Sequence, residues 1–161
     1  MSLNVTFILT NWSYVDYNKF LNLFSNRKFR EAGHLVEKVV ADWSVFETVP
    51  EGATHPMNYL PLEDASAIIH ALQAKTTEYV ESLDVENDII VDISKWNWDS
   101  FNIFQGHVEN NRLDKAIEMM LQVARFKKGH PKKGTELNCI QGMALFSALS
   151  AKIARVFSGG N

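Results

Sequence analysis

The chain has 161 residues, 46% of them hydrophobic, 22% charged and 11% aromatic, with a formal charge of −3. That length serves one compact domain or two tightly fused small ones, and it is enough to bury a core. The composition excludes a disordered, collagen-like or low-complexity chain, and no apolar run approaches the ~20 residues that a membrane span requires.

The first residues, Met1 to Val5, lack the basic region and cleavage site of a secretory signal. A single cysteine, Cys139, can neither close an internal disulfide nor build a multi-cysteine zinc site. The expected location is therefore the cytoplasm, with no membrane association.

In chain order, Val5–Leu9 reads as a short apolar strand and Ser13 as a helix N-cap, with Asp16 completing a capping box. The helix presents Tyr17, Phe20, Leu21 and Phe24 on one face. Asn26 marks a turn, where its amide is expected to cap a second helix carrying Phe29, Ala32, Leu35, Val36, Val39 and Val40. An acidic, aromatic loop follows over residues 42–52, and then a long helix with Leu62, Ala65, Ile69 and Leu72 spaced three and four apart.

After the acidic linker 81–88 the same order recurs. Sliding the chain by 84 residues sets Val5–Leu9 over Ile89–Ile93, Trp12-Ser13-Tyr14 over Trp96-Asn97-Trp98, Phe20 over Phe104 and Asn26 over Asn110. It also sets Ala32 over Ala116 and Val39 over Val123. The loops then differ, and at a shift of 77 Leu62, Ile69 and Leu72 fall over Cys139, Phe146 and Leu149. The expected fold is mainly α: a six-helix, pseudo-two-fold globule of two tandem β-α-α-α repeats, residues 1–84 and 85–161, packed as one unit. The two matching strands are expected to pair with each other across the axis as a small two-stranded ribbon.

Four aromatics at the strand-to-helix junctions, Trp12, Tyr14, Trp96 and Trp98, form the repeat signature. Each junction reads as a structural lock, one ring under the helix and the other closing the interface. The loop residues Trp43, Val45 and Phe46 are the first candidates for a partner surface. The matching loop of the second half is basic, with Arg125, Lys127, Lys128, Lys132 and Lys133 in ten residues. Residues 1–84 hold 6 basic and 11 acidic side chains, net −5, which leaves 10 and 8 for residues 85–161, net +2. That asymmetry makes the basic loop a candidate anion or nucleic-acid site, or a docking point for the acidic loop of a second subunit in a homo-oligomer.

Catalytic signatures are missing from the pattern. No nucleophile elbow occurs, and Cys139 falls on an apolar helical face. Histidines 34, 55, 70, 107 and 130 make no His-Glu-X-X-His pair, and only His55 and His130, in matching loops, are suggestive. The expectation is no enzyme activity, no metal and no cofactor.

The run Asp92-Ile93-Ser94-Lys95-Trp96-Asn97-Trp98-Asp99, followed by a short helix and a second helix over 113–124, resembles small helical proteins encoded beside bacteriophage tail genes. These are known as tail-assembly chaperones or tail accessory proteins. The likeness covers about 35 residues of the second half and, more loosely, Leu9 to Tyr14 of the first, where Tyr14 replaces the second Trp. It implies a non-catalytic assembly module in the host cytoplasm that binds another phage protein through an apolar groove. The alternatives are a small anion- or nucleic-acid-binding protein using the basic loop, and an unrecognised enzyme.

Overall fold

A computed structural model describes residues 5–82, 88–131 and 137–159. Among these, six α-helices and a two-stranded antiparallel sheet make a mainly helical protein. The helices are α1 (Tyr14–Ser25), α2 (Phe29–Val36), α3 (Leu62–Ser82), α4 (Trp98–Glu109), α5 (Leu113–Val123) and α6 (Cys139–Phe157). The strands are β1 (Ile89–Val91) and β2 (Ala124–Phe126).

Local chemistry explains where the helices start and stop. Ser13 Oγ accepts from Asp16 N at 3.0 Å while Asp16 accepts from Ser13 N at 3.4 Å, the expected capping box. Asn97 Oδ1 accepts from Ser100 N at 2.8 Å at the start of α4. Asn26 and Asn110 act at the opposite end from the one expected. Each amide donates to a carbonyl of the helix behind it, Asn22 O at 2.9 Å and Gly106 O at 2.8 Å, so each closes a C-terminus. The chain then turns sharply through Arg27 (φ 59°) and Asn111 (φ 56°), both in the left-handed region.

The strand pairing differs from the expected ribbon. β1 pairs with β2 in the register Ile89↔Phe126, Ile90↔Arg125, Val91↔Ala124, and Phe7 bridges Val40. Each extended segment thus pairs inside its own half. The reason lies past the second helices: α2 ends at Val36 and α5 at Val123, short of the span that helical periodicity suggested. Just beyond them, Val40 forms a single bridge to Phe7 and Ala124–Phe126 pairs as β2, each beside the segment that precedes α1 or α4, with Val39, Val40, Val123 and Ala124 buried.

Matching details lie 84 residues apart. The short 3-10 turns Leu9–Asn11 and Ile93–Lys95, helices α1 and α4, and the starts of α2 and α5 all keep that spacing. Ile8 N donates to Val39 O, and Asp92 N to Val123 O, both at 2.7 Å. The Trp12 ring lies 5.2 Å from Phe20, and Trp96 lies 5.0 Å from Phe104.

The long helices are placed differently. α6 contacts α1, α3, α5 and both strands, and it buries Cys139, Gly142, Met143, Ala144, Leu145, Ala148 and Leu149. α3 packs mainly on α6 through Ile68 and Leu72. By length and composition α6, 19 residues with mean hydropathy 1.2, is also long and apolar enough to cross a membrane, in contrast to the expectation that no apolar run is. About a third of that apolar stretch is buried, against α1, α3, α5 and both strands.

Candidate functional site

The start of α1 is sealed by α6. Tyr14 N donates to Leu137 O at 3.1 Å, Cys139 N to Trp12 O at 2.9 Å, and Ser13 bridges Asn138. Asn138 and Gln141 form a second capping box there, so two helix N-termini meet back to back. Tyr14 is 7% exposed and its ring fills the space over Gly142, where any Cβ would overlap it. Burial pushes the Tyr14 phenol and the Cys139 thiol up, each to about 12. Trp12 is fully buried, and its Nε1 donates to Leu35 O at 2.7 Å.

At the equivalent place in the second half the edge is open. Trp98 is 69% exposed, so it does not close an interface as its place in the signature suggested. Its ring lies 5.7 Å from Phe101 and 6.3 Å from Phe157, which is itself 60% exposed; Phe101 and Phe157 are 5.3 Å apart. With Ile93, Ile153 and Val156 these rings line an apolar hollow of about 190 Å³. Beneath it Trp96 is half-buried, and its Nε1 has no hydrogen-bond partner among the described residues. A second apolar cleft, about 270 Å³, runs between α1, α4, α5 and α6 beside Leu21, Val108 and Phe146.

The loop candidates are less available than the sequence implied. Trp43 and Phe46 are half-buried, 5.9 Å apart and packed against the core, and only Val45 is exposed. In the basic segment Arg125 sits in β2 opposite Ile90, and Lys127 N donates to Asp88 O at 3.0 Å. Arg125, Lys127 and Lys128 are exposed. Lys132 and Lys133 lie outside the described residues.

One cluster was not anticipated. His34 and Glu37, at the end of α2, meet His55 from the following loop. His55 Nδ1 lies 3.1 Å from Glu37 Oε1, and Met57 N donates to Glu37 Oε2 at 3.0 Å. The two imidazoles stack with centroids 3.9 Å apart. His55 therefore pairs with residues of its own half, while His130 turns back to accept from Phe126 N at 3.2 Å. The His34-X-X-Glu37 spacing, one helical turn, was the available signal. Comparison with family models, curated proteins and solved structures yields no match.

Proposed function

We propose that the chain is a non-catalytic helical interaction module, a tandem pair of strand–helix–helix–helix units that docks a protein partner on the open Trp98 edge. The 84-residue spacing of turns, caps, left-handed residues and Trp–Phe contacts supports a tandem origin with pseudo-two-fold character. The carrying observation is the contrast between Tyr14, covered by α6, and Trp98, uncovered at the matching position. Exposed, clustered aromatics are the commonest anchors of protein interfaces.

The covered edge indicates what fits the open one: a helix start whose first turn carries Gly or Ala, as Gly142 does beneath Tyr14. The chain has such a start in α3, where Leu62 is 85% exposed and Ala65 follows three residues on, so a second copy is one candidate occupant. The resemblance to phage tail-assembly proteins favours a different occupant, another virion-assembly protein met in the host cytoplasm. The Cys139 thiol, held protonated by burial, offers no nucleophile, consistent with a binding role.

Co-expression with the products of neighbouring genes, followed by pull-down, tests this reading. A Trp98→Ser, Phe157→Ser variant is expected to lose the partner, while Trp43→Ala, Phe46→Ala keeps it. Loss only in the second variant moves the surface to the 42–52 loop, and capture by none of these chains overturns the proposal. Light scattering on the isolated chain detects self-association through α3. A second reading, anion binding by Arg125, Lys127 and Lys128, is favoured by their exposure without ion pairs among the described residues. It predicts salt-dependent nucleic-acid binding that is lost when the three are changed to alanine.

A further inference from the structure

We infer that His34, Glu37 and His55 form a binding site for one divalent transition ion of the Zn²⁺ class, independent of the Trp98 edge. One nitrogen or carboxylate oxygen from each residue lies within 4.8 Å of the others, in a two-imidazole, one-carboxylate set. Such a set suits a borderline ion and leaves a coordination position for water.

The three side chains are held together by more than their mutual contacts. Glu37 accepts from Met57 N, Pro56 is buried, and the Met57 side chain packs 3.8 Å from the position a Cβ would take on Gly33. These contacts pin the loop carrying His55 to the helix carrying the other two residues, so the adjustment left for the ion is confined to the His55 side chain. Glu37 keeps Oε2 on Met57 N, which orients the carboxylate and leaves Oε1 for the ion.

His34 supplies the independent observation. Its Nε2 is buried and has no hydrogen-bond partner among the described residues, a polar ring nitrogen withdrawn from water without compensation. An ion near this nitrogen supplies the missing partner. His55 Nδ1 and Glu37 Oε1 lie 3.1 Å apart, on the side where the ion would sit. An ion held by both atoms would replace that contact. Metal–imidazole bonds lie in the ring plane, and the rings are only 17° from parallel. The His55 ring, whose side chain is 45% exposed, therefore swings out of the stack as the ion binds. The matching second-half positions, Glu118 and Leu121, lack this ligand set.

The test is competitive titration of the untagged, chelator-stripped chain with Zn²⁺ against a chromogenic chelator. The expected result is one Zn²⁺ per chain, weakened at least about tenfold by His55→Ala and by Glu37→Gln, with His70→Ala, His107→Ala and His130→Ala unchanged. Circular dichroism checks that each variant is folded. His55 sits on an exposed loop, so its variant decides the matter even if changes at Glu37 unfold the chain. Absence of stoichiometric binding, or binding indifferent to His55→Ala, overturns the inference.

Discussion

The two buried-side tryptophans offer a matched pair of perturbations. Trp12 and Trp96 lie 84 residues apart and rest on Phe20 and Phe104 at nearly the same distance. Only Trp12 uses its indole N–H, donating to Leu35 O at 2.7 Å. Trp12→Phe removes that bond, a net loss of about 1 kcal/mol, because Leu35 O still accepts from Lys38 N at 3.1 Å. It also empties the space of the second ring at a site 1% exposed, costing roughly another 1–2 kcal/mol. Trp96→Phe loses packing at a half-buried site but removes a buried donor without a partner, whose desolvation costs about 1–3 kcal/mol. The two terms nearly cancel. Urea unfolding should therefore place Trp12→Phe about 2–3 kcal/mol below the parent and Trp96→Phe within about 1 kcal/mol of it. For a chain of this size the first corresponds to a fall in Tm of about 5–10 °C. Equal losses in the two variants would refute the reasoning, since they would mean that the Trp96 N–H is satisfied after all.

Three further outcomes follow from particular residues. Gly142→Ala gains about 1 kcal/mol of helix propensity, yet it should destabilise the chain, because the new Cβ overlaps the Tyr14 ring. Denaturation of the Gly142→Ala, Tyr14→Ala pair should show coupling, and strict additivity would remove the clash as the cause. Arg27→Gly relieves a left-handed residue and should raise stability by up to about 1 kcal/mol in thermal unfolding, whereas a loss would contradict the strain. Stability should fall in alkali: the unfolded chain releases the Cys139 proton above about pH 9, while the folded chain keeps it to about 12. That contribution is complete below pH 9 and declines by about 1.4 kcal/mol per pH unit above it, with Tyr14 adding a second proton from pH 10. Urea midpoints between pH 8 and 10.5 measure the slope, which Cys139→Ala should flatten; a level profile in the parent would contradict it.

What could be read from the sequence was what the chain settles locally. Ser13 and Asn97 declare helix starts because their partners are three residues away. The core face of the last helix is partly visible in its spacing: Cys139 and Leu149 are fully buried as that stripe implies, whereas Leu145, outside the stripe, is also fully buried and Val156, within it, is exposed. Pairings between distant segments were hidden. β1 meets β2 across a whole helical hairpin, and Val40, which continued a helical period, instead bridges Phe7. The histidine cluster depends on Glu37 reaching Met57 N twenty residues on, which no local pattern encodes. Trp98 has the composition of a core residue, and its exposure is a tertiary fact that no local spacing encodes.

The central claim is that the open aromatic edge binds a partner. Calorimetric titration of a purified partner against the parent and Trp98→Ala chains tests it most directly. Loss of a central aromatic anchor is worth about 2 kcal/mol or more, so the account predicts an affinity at least roughly 30-fold weaker for Trp98→Ala, with unchanged thermal stability. Affinities within twofold of each other would contradict it.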